Sequence, residues 1–225
     1  MRELYLVNGS PYAWRVQLAL EHKALDYELR VLPYGPDALH SAEYLALNPR
    51  GRVPTLRDGD FVLYESLAIL AYLDRRYPDR PLLGTTPEET GTIWRVISEY
   101  TAYVDRAVEE LILPIYFGRA IERAAEICEA IATLAGELAH FERTLSRSEY
   151  LAGDGLTAAD FVVFPHLQSI RRASSKEAAR AFDFTFLPLA TQCPAIAAWI
   201  SRIEALPGYA RTYPPHWGSA TAGPE

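Results

Sequence analysis

The extended run Glu3-Leu4-Tyr5-Leu6-Val7 passes through Asn8-Gly9 into Ser10-Pro11, and Arg15-Val16-Gln17-Leu18-Ala19-Leu20 then continues as a helix. Few short stretches constrain a fold more. Ser is a favoured N-cap, and Pro at the first helical position sacrifices no hydrogen bond, because that N–H has no intrahelical partner. The chain must therefore turn from strand to helix within about four residues. A helix N-terminus gathers free N–H donors and positive potential, so it favours an anion, a thiolate included. Ala13 stands where a capping box would need Glu or Gln, which leaves the Ser10 hydroxyl freer to donate. No neighbouring His or Asp offers a base, so Ser10 makes a poor nucleophile but a sound thiolate stabiliser. A cysteine thiol near pKa ~8.5 falls to roughly 3.5–7.5 in such surroundings.

The same alternation continues through about residue 78. A second strand is expected at Tyr27-Glu28-Leu29-Arg30-Val31, and a short helix before Asn48-Pro49. Val53-Pro54-Thr55-Leu56 and Phe61-Val62-Leu63 flank Arg57-Asp58-Gly59-Asp60, a tight hairpin. A helix over 65–77 ends at Pro78. The order β-α-β-α-β-β-α implies a mixed sheet with helices on both faces.

Beyond the Pro-rich stretch the period changes. Ile93, Ile97, Tyr100, Val104, Val108, Leu111 and Ile115 recur at steps of three and four, which predicts one long helix. Helical pattern resumes over 121–145. Thr157-Ala158-Ala159-Asp160 reads as a capping box with Asp in place of Glu, and Leu156 and Phe161 are spaced as its hydrophobic staple. A last helix spans about 193–206, and the Pro- and Gly-rich tail from Tyr213 is expected to be poorly ordered. The fold class is thus α/β plus all-α: an α/β domain over 1–79, a linker over 80–87 and an all-helical domain over 88–225.

Composition narrows the function. A net charge of −7 with no basic face argues against nucleic acid. No segment has the length of a membrane span and no signal peptide is visible. Cys128 and Cys193 have neither metal-ligand nor CxxC spacing, and the five histidines are unpaired in sequence, so reduced cytoplasmic thiols and no metal are expected.

Two further places carry chemistry. Val53-Pro54 reads most simply as an ordinary trans proline opening an edge strand. A cis bond there would instead turn the backbone of Val53 outward, where an extended peptide could pair with it. Glu65-Ser66 opens a helix; its plain reading is a solvated acid beside a capping hydroxyl, and its functional one a carboxylate-binding helix start with Glu65 facing an amine. Arg52 and His40 offer positive charge for a second carboxylate, although His40 reads first as a surface histidine.

In their order and spacing these sites resemble those of the cytosolic glutathione transferases, over nearly the whole chain. Ser10-Pro11-Tyr12-Ala13-Trp14-Arg15-Val16 is similar to the serine-type classes. It resembles the tau pattern Ser-Pro-Phe-x-x-Arg-Val and shares Trp-Arg-Val with zeta, which has Ser-Ser-Cys where this chain has Ser10-Pro11-Tyr12. The resemblance implies a thioredoxin-like first domain and glutathione as co-substrate, with its thiolate stabilised by Ser10. It implies that Val53 pairs with the cysteinyl backbone beside a cis Pro54. Glu65 and Ser66 would hold the γ-glutamyl end, and Arg52 with His40 the glycine carboxylate. Tyr12, Ala13 and Tyr103 would line the second-substrate pocket, and Asp105 would reach the ligand amine from a second subunit. The implied protein is a cytoplasmic, homodimeric detoxification enzyme acting on a small hydrophobic electrophile. Glutathione-dependent isomerisation or dehalogenation, and a non-catalytic binding module, are the alternatives.

Overall fold

The computed structural model describes residues 1–217. It divides into two compact units, one of Met1–Leu83 with the segment from Ala205 onward, the other of Gly84–Glu204.

In the first unit β1 (Arg2–Leu6) leads through a turn to α1 (Pro11–His22), followed by β2 (Glu28–Val31), α2 (Pro36–Leu39) and α3 (Ala42–Leu47). The hairpin β3 (Thr55–Asp58) and β4 (Phe61–Tyr64) follows, and α4 (Ser66–Arg76) completes the α/β layout. The sheet order is β2-β1-β3-β4, with β1 parallel to β2 and the other pairs antiparallel. Alternation puts Leu4, Leu6 and Leu56 on one buried face. On the other face Tyr5 and Thr55 meet Tyr44 of α3, the two tyrosine rings 6.0 Å apart and the Tyr44 hydroxyl 2.9 Å from Thr55 Oγ1. Glu3 ties three strands together by pairing with Arg30 of β2 and Arg57 of β3, and the Arg30 bond foremost draws its carboxyl below the usual range.

The segment after α4 belongs to this unit through Leu83, and the rest of the expected linker, from Gly84, to the second. Lys23 is fully enclosed, and its ammonium donates to the carbonyls of Tyr77 (2.8 Å), Asp79 and Arg80 (both 3.1 Å) beside Asp74. A buried cation saturated in this way pins the chain as it leaves α4. Beside it, His22 is pushed down from 6.5 to about 4, first by burial and then by the charges of Arg80 and Lys23.

The second unit is helical: α5 (Pro87–Glu99), α6 (Asp105–Tyr116), α7 (Ala124–Leu145), α8 (Ala158–Ser174), the short α9 (Leu189–Gln192) and α10 (Pro194–Glu204). The single helix predicted over 93–115 is instead interrupted by a π-helical turn at Tyr100–Val104. Such a turn inserts a residue without breaking the apolar stripe, so period counting passes over it. Asp160 is entirely buried at the start of α8. Its carboxylate accepts from the N–H groups of Leu151 (3.0 Å) and Thr157 (2.9 Å), the Thr157 hydroxyl (3.0 Å) and the Trp199 indole (2.8 Å). The cap expected from sequence thus also fastens α10 and the preceding loop. Among the described residues no helix is long and apolar enough to cross a membrane.

The last segment corrects two expectations. Sequence runs the helical domain to residue 225 and leaves the tail from Tyr213 loose. In the structure the chain from Ala205 clusters with the first unit, with a short helix α11 (Tyr209–Thr212) and Trp217 buried. Residues 218–225 of the expected loose tail lie outside the described part.

Two outcomes follow for stability. Asp160→Asn sets an NH2 group against two of the four donors and should cost about 3 kcal/mol in chemical unfolding. His22 is neutral when folded but protonates near pH 6.5 when unfolded, so its contribution is complete above that pH. It is lost as pH falls toward about 4, amounting to about 1–2 kcal/mol once screening by solvent at the partly exposed ring is allowed for; His22→Gln should flatten that stretch of the stability–pH curve.

Candidate active site

Strand register decides where the functional turns emerge. Tyr5 of β1 pairs with Thr55 of β3, and Thr55 with Tyr64 of β4. This row lies at the C-terminal ends of β1 and β4 and the N-terminal end of β3. Ser10 follows β1, Val53-Pro54 precedes β3, and Glu65-Ser66 follows β4, so all three leave the sheet from one end.

At the first position the Ser10 N–H closes a turn onto the Val7 carbonyl (3.1 Å), with Gly9 at φ +86°. Ser10 caps α1 in extended conformation, with Pro11 as the first helical residue. Its Oγ accepts from the Ala13 N–H at a long 3.4 Å, which leaves the hydroxyl proton available to another acceptor.

At the second position the Val53–Pro54 peptide bond is cis. The loop carrying it is anchored from below. The Arg52 carbonyl accepts from the Tyr44 hydroxyl and the Asn48 amide, both at 2.7 Å, and Asn48 also donates to Thr55 Oγ1 at 3.1 Å. Burial pushes the Tyr44 phenol up, so it remains a donor. Among the described residues no backbone hydrogen bond engages Val53. The Arg52 side chain is exposed. The His40 ring lies against Gly51, where a Cβ would fall 2.5 Å from Cδ2, so His40 stands beside the Arg52 loop.

At the third position Glu65 holds φ +70°, ψ 109°, outside the favoured regions for a side-chain-bearing residue, and its exposed carboxylate makes no capping bond to α4. Such a conformation costs about 1–3 kcal/mol and persists where the surroundings impose it. Ser66 is buried at the first turn of α4, and its Oγ accepts from Arg15 Nη1 at 3.3 Å.

Arg15 is the residue that sequence quoted but gave no role. It is 3% exposed, and its guanidinium lies 4.9 Å from the centre of the Tyr12 ring while reaching Ser66. One side chain thus links the starts of α1 and α4. The available signal was an Arg between the apolar Trp14 and Val16, a residue type seldom buried without a partner.

The other sequence candidates fall differently. Ala13 is 1% exposed, and its N–H donates to Ser10 Oγ. Tyr12 is partly exposed next to Ser10. Tyr103 stands on the π-helical turn of the helical unit, 63% exposed. Asp105, in the same unit, faces His166 at 3.4 Å. Both free cysteines lie in the helical unit, Cys128 exposed and Cys193 buried. Among the described residues no group of three or more His, Cys, Asp or Glu could hold a metal ion.

Known proteins resemble the chain over both units. Residues 4–81 match the family pattern of the glutathione S-transferase N-terminal domain, and residues 105–207 that of the C-terminal domain. The chain belongs to the glutathione S-transferase family. It is 30% identical to glutathione S-transferase 3 of Zea mays, over 93% of this chain and 92% of that protein. The crystal structure of a glutathione S-transferase from Rhodospirillum rubrum F11 superposes with a TM-score of 0.80, at 27% identity over 98% of this chain and 99% of that one. A glutathione S-transferase-I solved with lactoylglutathione gives 0.77, at 26% identity over 94% and 97%.

For this family member, Glu65→Gly separates backbone from side chain. Glycine accepts the positive φ, so the melting temperature should rise by an amount equivalent to about 1 kcal/mol. Affinity for glutathione, measured by calorimetry on the same variant, reads out whether the carboxylate itself takes part in binding.

Proposed function

We propose that this glutathione transferase binds its tripeptide along the end of the sheet in the first unit. The cysteinyl backbone pairs with Val53 in the manner of an added strand. Glu65 and Ser66 take the γ-glutamyl end, the carboxylate at Glu65 answering the amine and the start of α4 the α-carboxylate. Arg52, with His40 beside its loop, takes the glycine carboxylate. The sulfur then faces the Ser10 hydroxyl.

The observation that carries this reading is the row Tyr5–Thr55–Tyr64, which brings the three turns to one end of one sheet. A γ-Glu-Cys-Gly ligand needs a thiolate site, a peptide-pairing site and a carboxylate site in that order. The relative solved with lactoylglutathione shows a family fold of this kind holding a glutathione derivative.

In the chemical step the thiol gives its proton to solvent. Ser10 donates a hydrogen bond to the sulfur left negative, and the positive end of α1 adds to it. The thiolate attacks an electrophilic carbon: the S–C bond forms as the carbon's leaving group departs or its multiple bond opens. Ser10 at the start of α1 supports a serine-type reading, and Tyr12 offers an aromatic surface to a small apolar electrophile. Rate comes from a larger thiolate fraction and from proximity. Family membership favours a homodimer, which sedimentation would establish.

Ser10→Ala removes one charge-assisted hydrogen bond. The pKa of bound glutathione, followed through the ultraviolet absorbance of the thiolate, should rise by about 1–2 units and kcat fall about 10–100-fold at neutral pH. The KM for glutathione should move far less. An unchanged thiolate pKa removes Ser10 from the mechanism. Product analysis across a panel of electrophiles separates conjugation from isomerisation and dehalogenation.

A further inference from the structure

The segment after Gly208 runs along α1 from its C-terminal half to its beginning. Gly208 lies against Glu21, where a Cβ would fall 2.5 Å from Oε2, and Arg211 pairs with the same carboxylate. The Arg211 carbonyl accepts from Gln17 Nε2 at 3.3 Å. One turn nearer the start of α1, the Trp14 indole donates to Thr212 Oγ1 at 2.8 Å, a buried bond. Tyr213 and Trp217 set their rings edge-on to Trp14, with centroids 5.9 and 5.4 Å away.

The end of this strap reaches the Ser10 turn. The Trp217 N–H donates to His216 Nε2 at 3.0 Å. An indole only donates, so the Trp217 N–H holds the ring through Nε2. Held in this way, the His216 ring lies over Gly9. A Cβ at position 9 would fall 3.0 Å from His216 Cε1, 3.2 Å from its Nε2 and 3.3 Å from Trp217 Nε1. Glycine suits position 9 by its φ of +86°, and any Cβ there would press on the exposed His216 ring, which would have to give by a few tenths of an ångström. Glycine is also the residue of this turn with the widest backbone freedom. A ring packed on it removes that freedom immediately before Ser10.

We propose that His216 and Trp217 are positioning residues of the thiol site, clamping Gly9 so that the Ser10 hydroxyl keeps its aim. The proposal rests on the reading that Ser10 faces the sulfur. His216 touches neither sulfur nor electrophile; it acts through the turn. Its side chain is exposed, so its removal leaves the core intact.

The test is a double-mutant cycle on the full chain, read by the thiolate absorbance of bound glutathione and by kcat. His216→Ala should lower kcat roughly three- to tenfold and reduce the thiolate fraction at neutral pH. The KM for glutathione should stay within about twofold. Trp217→Phe keeps an aromatic edge on Trp14 but removes the donor to His216, and should show a smaller loss of the same kind. In a Ser10→Ala background the His216→Ala effect should disappear, since nothing remains to be aimed. If Ser10→Ala lowers the thiolate fraction while His216→Ala and Trp217→Phe do not, this inference is overturned and the Ser10 reading stands. An undiminished His216→Ala effect in the Ser10→Ala background overturns it as well. If Ser10→Ala changes nothing, both fall together.

Discussion

The pairing of Tyr5 with Thr55 and of Thr55 with Tyr64 is the constraint on which the site depends. Side chains alternate along a strand, so a one-residue slip would exchange every inward and outward residue of the strand that moves. A slip of β3 would take Leu56 out of the core and turn Thr55 away from Tyr44, while Leu4, Leu6 and Tyr5 of β1 kept their faces. The same slip would carry the Val53-Pro54 turn along the strand, away from Ser10. Burial on one face and a hydroxyl–amide network on the other therefore fix a single register, and that register collects three separated turns.

Helix α1 is the second determinant, because its faces serve different ends. Arg15 reaches toward the start of α4 and meets Ser66, while Trp14, Gln17 and Glu21 carry the C-terminal strap. Apart from the exposed ion pair at its far end, these contacts are buried or nearly so, and polar groups with buried partners hold their geometry more tightly than surface pairs. The turn at Gly9-Ser10 is thus supported from the sheet through Val7 and from the strap through His216. A side chain that must stabilise one sulfur gains from a base that does not move.

Much of this was legible locally. Ser10-Pro11 marked the start of α1, Gly59-Asp60 the hairpin, and Thr157 with Asp160 the start of α8, because caps and tight turns are chosen by neighbours a few residues apart. The π-helical turn at Tyr100–Val104 was not legible, since the inserted residue leaves the apolar stripe continuous. Nor was the strained backbone of Glu65, which the fold imposes on an ordinary residue. Arg15 stood within the quoted motif, but its role needs Ser66, fifty-one positions away. The strap failed for the opposite reason: Pro and Gly suggest a loose end, while the order of 205–217 comes from aromatic packing on a helix near the other terminus.

By itself the sequence determined the main elements of the first unit and their order, the change to helical pattern beyond them, and the chemistry of each candidate side chain. These are properties of short windows, set by backbone sterics, capping and hydrophobic period. Only the tertiary structure decided that the three turns share one end of the sheet, that Ala13 is enclosed and Arg15 central, and that His216 lies over Gly9. Those facts join residues tens to hundreds of positions apart, and only the packed core and the strand register bring such residues together.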